Sequence, residues 1–226
     1  MGLICNMPKM IESLAGVELY AVGHFALGYL TAKLIGRFTK TQISMPIVLT
    51  LSVIPDIDLL VPFLDHRGPS HSLLVAIVIF IPVIVLFEKN GFPYLVALVQ
   101  HSLLGDFFTG NVQLFWPITS YTYGIALDIR SPVNVALEWT AFLVMFAEML
   151  RSKDLQLLIK PGRLNMVLAI PTFTVLLPTF LAFPLRVPAA LMAPHIVMLI
   201  LFSISMLADV KKAFQNLKRA KSAVPH

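Results

Sequence analysis

The stretch SVIPDIDLLVPFLDHRGPSHS, residues 52–72, decides how the rest of the chain is interpreted. It places three aspartates, two histidines and one arginine in sequence that is otherwise strongly apolar. Ionisable groups at the edge of a hydrocarbon layer cost free energy, so such a cluster indicates a functional site. Carboxylates and imidazoles together are the usual ligands of a divalent metal ion. The stretch therefore predicts a metal site in a membrane protein.

The composition of the whole chain places it among polytopic membrane proteins. Of its 226 residues, 58% are hydrophobic and 13% are charged, against about 25% charged in a soluble domain. The mean hydropathy of +0.84 is too high for a soluble protein of this size. A single cysteine, Cys5, excludes an internal disulfide and a cysteine-based zinc site. The first apolar run lacks a small-residue cleavage site, so we expect a retained span rather than a signal peptide.

The apolar runs predict an all-α bundle of about seven transmembrane helices, since a span needs about 20 apolar residues. We expect residues 1–210 to form one membrane-embedded domain and residues 211–226 to form a basic cytoplasmic tail. Residues 109–131 are less apolar and predict a loop. The predicted spans are Val17–Ile35, Met45–Leu64, Ser72–Phe87, Phe92–Phe108, Pro132–Leu150, Leu164–Phe183 and Val187–Ala208.

The distribution of basic residues predicts the orientation in the cell membrane. With seven spans, 13 of the 17 lysines and arginines fall on one side. The positive-inside rule then predicts an outside N-terminus and a cytoplasmic C-terminus. The net charge of +5 reflects this topology, so we expect the tail to contact anionic membrane lipid and expect no nucleic-acid partner.

On this topology the ionisable residues within the membrane fall at one depth, near the outer face. Scattered structural polar residues would not share a depth, so we expect them to form one site. Glu138 has the alternative of an internal hydrogen bond with Trp139 or a backbone group, and His195 is expected to be a packing residue. The residues at the shared depth are His24, Asp56, Asp58, His66, Arg67, His71, His101, Asp106 and Glu138.

The spacing within residues 52–72 suggests separate roles for its polar groups. Asp56 and Asp58, two residues apart after Pro55, should point to opposite sides, so that one faces the metal and the other supports a neighbour. Ser70 is placed to cap the third helix. The exposed helix end and the planar head of Arg67 would favour an anion such as phosphate.

Five blocks of sequence resemble a known family in the same order. They lie between about residues 23 and 117 and are Gly23-His24, Ile54–Asp58, His66–Leu73, His101 with Asp106, and Leu114–Pro117. The chain is similar to the LexA-binding, inner-membrane-associated proteins that are classed with metal-dependent hydrolases. The resemblance implies a membrane-bound hydrolase with a zinc-type centre and a distant kinship with zinc-dependent phospholipase C.

One spacing departs from the family. The family has three residues between the histidine and the aspartate, whereas four residues separate His101 from Asp106 here. On a regular helix the two side chains would diverge by roughly 140°. A π-bulge at Gly105 would bring them together again, and without it Asp106 would not be a ligand.

Two functions fit these patterns. The first is hydrolysis of a small-molecule or lipid phosphoester by water activated on a divalent ion, with zinc expected and manganese or magnesium as alternatives. Asp58 or Glu138 would accept the proton of the water, and Arg67 would stabilise the transition-state charge. The second is an ion- or proton-coupled transporter or channel that uses the same cluster. The expected metal ligands are His24, Asp56, His66, His71, His101 and Asp106.

Overall fold

A computed structural model describes residues 19–61, 63–181 and 187–222, and this part of the chain is helical without a β-strand. Cys5, residues 17–18 of the first predicted span and residues 182–183 of the sixth lie outside the described residues. We number the longer helical segments in chain order. They are α1 (Ala21–Thr39), α2 (Met45–Leu51), α3 (Leu73–Phe87), α4 (Phe92–Gln100), α5 (Pro132–Arg151), α6 (Asp154–Leu158), α7 (Asn165–Phe180) and α8 (Ala189–Ser222).

Helix α1 is the centre of the bundle, because it packs against α2, α4, α5 and α8. Small residues on its surface allow this close packing. A Cβ atom added to Gly28 would lie 2.3 Å from Ser52 Cβ and 3.1 Å from Gln100 Nε2. The large side chains of Phe25 and Tyr29 are fully buried on the same helix. The close packing at Gly28 therefore brings α1 next to the C-terminal ends of α2 and α4.

The prediction of about seven spans is wrong for the described residues. Three helical stretches are long and apolar enough to cross a membrane: Leu73–Thr109, Pro132–Arg151 and Ala189–Asn216. The last two agree with the predicted fifth and seventh spans. The first contains the predicted third and fourth spans, separated by a 3-10 segment, Glu88–Gly91.

Two predicted spans are broken into short pieces. In the second, α2 has seven residues and is followed by a 3-10 helix, Ile54–Leu60. Pro55 begins this change because proline has no N–H to donate and disfavours α geometry in the residue before it. In the sixth, α7 passes through 3-10, α and π geometry around Pro171 and Pro178.

A network of polar side chains lies in the C-terminal half of α1. The Tyr29 hydroxyl donates to Asp154 Oδ2 at 2.8 Å, and the Ser152 hydroxyl donates to the same oxygen at 2.7 Å. Lys33 pairs with Asp154, and Arg37 pairs with Glu148. This network joins α1 to the turn between α5 and α6.

Candidate metal centre

Four side chains converge at one end of the bundle. Each of them offers one ligand atom, and these four atoms lie within 4.8 Å of one another. The residues are nearly or fully buried, with at most 7% of their surface exposed. They come from three irregular segments: the 3-10 helix Ile54–Leu60, the 3-10 turn Pro69–His71 and the π-helical segment His101–Asp106. They are Asp56, His71, His101 and Asp106.

The distances within this four-residue group match the edges of a coordination shell. His71 Nε2 and His101 Nε2 are 3.2 Å apart. Asp56 Oδ1 lies 3.5 Å from His71 Nε2 and 3.1 Å from His101 Nε2. Asp106 Oδ2 lies 3.0 Å and 3.3 Å from the same two nitrogens. Tetrahedral zinc ligands are about 3.3–3.6 Å apart, and octahedral magnesium ligands about 3.0 Å apart, so a divalent ion fits.

The second nitrogen of each imidazole is held by a neighbour. His101 Nδ1 donates to the Ser52 carbonyl oxygen at 2.7 Å, because a carbonyl can only accept. His71 Nδ1 lies 3.0 Å from Ser70 Oγ and 3.2 Å from Asp58 Oδ2. With Nδ1 carrying the hydrogen, Nε2 of each ring presents its lone pair to the group. Both rings are therefore oriented as metal ligands are.

The predicted π-bulge is present. Residues His101–Asp106 form a π-helical segment, in which the i→i+5 pattern places its first and last residues on one face. Both carboxylate oxygens of Asp106 are buried without a hydrogen-bond partner, although two imidazole nitrogens are near. The carboxylate oxygens and the imidazole lone pairs face each other without forming hydrogen bonds. This arrangement is what a metal ion bound between them would require. The π-helical segment therefore accommodates the additional residue between His101 and Asp106, and Asp106 stays within the site.

Asp56 and Asp58 lie at opposite edges of the His71 ring, as their spacing predicts. Asp58 is in a second candidate group with His66 and His71, whose ligand atoms also lie within 4.8 Å of one another. Asp58 Oδ1 is 2.8 Å from His66 Nδ1, and the Ser70 hydroxyl donates to Oδ2. Burial would raise the pKa of Asp58, but hydrogen bonds with His66 and His71 lower it to about 2.

Ser70 has a different role from the predicted one. Helix α3 begins at Leu73, and its cap is Ser72, whose hydroxyl accepts from the Val75 N–H. His71 belongs to the preceding 3-10 turn. Ser70 is thereby free of the cap position and donates to Asp58 instead.

His24 lies beside the four-residue group. Its ring is fully buried and stacks on His101 with centroids 3.8 Å apart and 15° between the planes. Its Nε2 is 3.7 Å from Asp106 Oδ1, and neither of its ring nitrogens has a hydrogen-bond partner. A Cβ on Gly105 would lie 2.3 Å from His24 Cε1, so the glycine makes room for the ring. The predicted ligand His24 is thus adjacent to the group without belonging to it.

Arg67 reaches the same carboxylate edge as His24. Its Nη2 lies 3.6 Å from Asp106 Oδ1, and the residue is 7% exposed. Its backbone has a φ of 63°, a left-handed conformation that is uncommon for a non-glycine residue. This places a buried positive charge next to the group, on the side of Asp106 that does not face the two ligand imidazoles.

Glu138 is placed elsewhere. Its Oε1 accepts from the Tyr20 backbone N–H at 2.9 Å and from Asn134 Nδ2 at 3.2 Å. Tyr20 precedes α1, so this carboxylate caps the helix that carries His24. The alternative of a backbone partner is confirmed, whereas Trp139 donates to the Ala190 carbonyl instead. The structure does not bring Glu138 into either candidate group.

Two contributors to the site were not predicted. Ser52 acts through its backbone carbonyl. Any residue could supply that group, so the identity of residue 52 gives no sign of this role. Gln100 donates from Nε2 to the His24 carbonyl at 3.3 Å and holds α1 against the end of α4. A glutamine next to a histidine in an apolar helix could have drawn attention to this contact.

The comparison with protein families agrees with these observations. The family model described as YdjM inner membrane protein matches residues 19–184. The match includes every residue of the two candidate groups. No curated protein and no solved structure matches the chain.

Proposed function

Because the chain belongs to the YdjM inner membrane protein family, we propose that it is a membrane-bound, metal-dependent hydrolase of phosphoesters. The observation that carries this proposal is the convergence of two imidazole Nε2 atoms and two carboxylate oxygens in a buried group. Two carboxylates balance the charge of one divalent ion. Zinc is the expected ion, since two imidazole ligands suit zinc better than magnesium.

When bound, the ion would lower the pKa of a water molecule and polarise a phosphoryl oxygen. The protein's own groups would position the reactants. Asp58 holds His71, and the Ser52 carbonyl holds His101, so neither ring has to reorient. Because Asp58 is already engaged by three neighbours, we assign it to orienting His71 rather than to accepting a proton.

Arg67 gives the site its preference for an anion. Its guanidinium lies at Asp106 Oδ1, where a phosphate next to the four-residue group would be within reach. A planar guanidinium pairs with two phosphate oxygens at once and stays charged at all physiological pH values. Burial strengthens this attraction, because little water screens it. Arg67 would thus hold the substrate and stabilise the charge that develops during hydrolysis.

Elemental analysis of the detergent-purified protein tests the metal site. We expect about one zinc or manganese per chain after loading, and loss of that metal in His101→Ala and Asp56→Asn. His195→Ala is the matched control, because His195 is also fully buried in a helix and its Nδ1 donates to the Leu191 carbonyl. Full metal content in His101→Ala would contradict the proposal.

Activity is tested separately with a panel of phosphoesters and a chelator. We expect hydrolysis that a chelator abolishes and that zinc or manganese restores. Arg67→Ala should lower activity by about 10²-fold or more while the metal content stays unchanged. Hydrolysis that persists in the metal-free protein would refute the proposed mechanism.

The transporter hypothesis has one observation in its favour, the partly buried network of Tyr29, Lys33 and Asp154 in the C-terminal half of α1. The fully buried apolar side chains of Phe25 and Leu49 belong to the same core cluster as Tyr29. An ion path would need polar groups where these apolar side chains lie, so their presence argues against transport. Ion flux into liposomes that contain the purified protein would favour transport over hydrolysis.

A further inference from the structure

The loop between α4 and α5 is fastened to the segment that carries Arg67 and His71. The Gln113 N–H donates to the Arg67 carbonyl at 3.0 Å, and the Leu73 N–H donates to the Leu114 carbonyl at 3.0 Å. The Ser72 hydroxyl donates to the Trp116 carbonyl at 2.7 Å. We call residues 110–127 the covering loop. Its first half thus follows the turn from which His71 enters the site.

The second half of the covering loop is fastened to the residues after Asp106. The Ile125 N–H donates to the Phe107 carbonyl at 2.7 Å, and the Leu127 N–H donates to the Phe108 carbonyl at 2.9 Å. A pair of 2.9 Å hydrogen bonds between Val112 and Tyr123 closes the loop on itself. The covering loop therefore joins the two segments that supply His71 and Asp106.

The outward side of the covering loop is uncharged and carries large exposed apolar and aromatic side chains, beside the exposed polar residues Asn111, Ser120 and Thr122. Residues 107–127 contain no Asp, Glu, Lys or Arg. Ile118 is 80% exposed and Tyr121 is 67% exposed. Phe63, which follows the 3-10 helix carrying Asp56, is 86% exposed. A loop in water normally carries charged residues, whereas tryptophan and tyrosine are enriched where a membrane meets water.

We propose that the covering loop, together with Phe63, lies in the lipid headgroup layer, and that the substrate is a membrane phospholipid. This inference rests on the proposed hydrolase function and names its substrate class. The ligand residues are nearly or fully buried, and the segments around them expose apolar side chains. A phospholipid can bring its phosphate to Arg67 from the headgroup layer while its acyl chains stay among these side chains. A soluble phosphoester has no such attraction.

The depth of the loop is tested with Trp116, which is 36% exposed. The chain has two tryptophans, so Trp139→Phe leaves Trp116 as the single fluorescent reporter. In liposomes that contain brominated phospholipids, we expect strong quenching of Trp116 by bromine at shallow acyl positions and weak quenching by aqueous iodide. Strong quenching by iodide with none by bromine would overturn the inference.

The substrate class is tested with the variant Phe63→Ser/Ile118→Ser/Tyr121→Ser. We expect hydrolysis of vesicle phospholipid to fall by about tenfold or more, because lipid contact scales with apolar area, and hydrolysis of p-nitrophenyl phosphate to stay within about twofold. The matched control is Phe173→Ser, since Phe173 is 65% exposed on α7, outside both candidate groups. Equal metal content in all variants shows that the site is intact.

The outcomes separate the two proposals. If the metal-loaded wild type hydrolyses p-nitrophenyl phosphate and no phospholipid, the lipid inference is refuted and the hydrolase proposal stands. An equal loss of both activities in the triple variant also refutes the lipid inference. If the metal-loaded wild type hydrolyses neither substrate, both proposals fail.

Discussion

Gly105→Ala is the substitution whose effect follows most directly from the geometry. The new Cβ would lie 2.3 Å from His24 Cε1 and 2.7 Å from His24 Nδ1. An ordinary carbon–carbon contact is about 3.5 Å, so the overlap is about 1.2 Å. His24 has little room to withdraw, because its ring is fully buried and stacks on His101 at 3.8 Å. Either the His24 ring or the π-helical segment must therefore shift. The ring stacks on His101, and the segment carries His101 and Asp106.

Overpacking of this kind costs about 1–3 kcal/mol. For a chain of this size each kcal/mol lowers the midpoint of thermal unfolding by about 2–4 °C. We therefore expect Gly105→Ala to unfold roughly 2–12 °C lower in detergent micelles and to bind zinc more weakly, because Asp106 is the next residue. Gly91→Ala is the control, since its Cβ would lie 2.9 Å from the flexible end of Ile84 and 3.3 Å from the Val83 carbonyl oxygen, in a segment outside both candidate groups.

A double-mutant cycle shows whether His24 is the cause. In a His24→Ala background the obstructing ring is absent, so Gly105→Ala should cost much less than it does in the wild type. The expected coupling energy is about 1–2 kcal/mol. An equal cost of Gly105→Ala in both backgrounds would refute this reasoning and would point to the π-helical backbone itself.

Three further predictions concern the groups that support the site and the fold. Asp58→Asn should weaken zinc binding by about 10–100-fold in a chelator competition, because it loosens His71. Asp65→Asn should have no effect, because Asp65 is exposed and lies outside both candidate groups. Glu138→Ala should lower the free energy of unfolding by about 1–2 kcal/mol with metal content retained, because it removes the cap of α1. The third concerns Asp154. Burial would raise its pKa, but hydrogen bonds from Lys33, Ser152 and Tyr29 lower it below its usual value. Its contribution to stability is therefore present above the unfolded-state pKa and lost as the pH falls through the folded-state pKa, and Asp154→Asn should flatten that loss in acid melts.

The site was more predictable from sequence than the number of spans. Aspartate and histidine are rare in apolar sequence, so their positions alone indicated a common site. The π-bulge was predictable too, because four residues separate His101 from Asp106 in the sequence and a regular helix would not bring both side chains to one face. The placement of the N-terminus outside and of the C-terminus in the cytoplasm stays a prediction. Glu138 shows the limit of this reasoning, since an acid that caps a helix and an acid in a catalytic site look alike in sequence.

The second predicted span is interrupted by the same feature that lets the site form. A continuous helix in lipid satisfies its own backbone groups and leaves none for a side chain. Here α2 stops at Leu51, and the carbonyl of the next residue, Ser52, is left to accept from His101. The 3-10 helix that follows presents Asp56 and Asp58 to opposite edges of His71. A regular helix over residues 45–64 would have completed the predicted span, but it would have removed the acceptor that fixes the His101 ring.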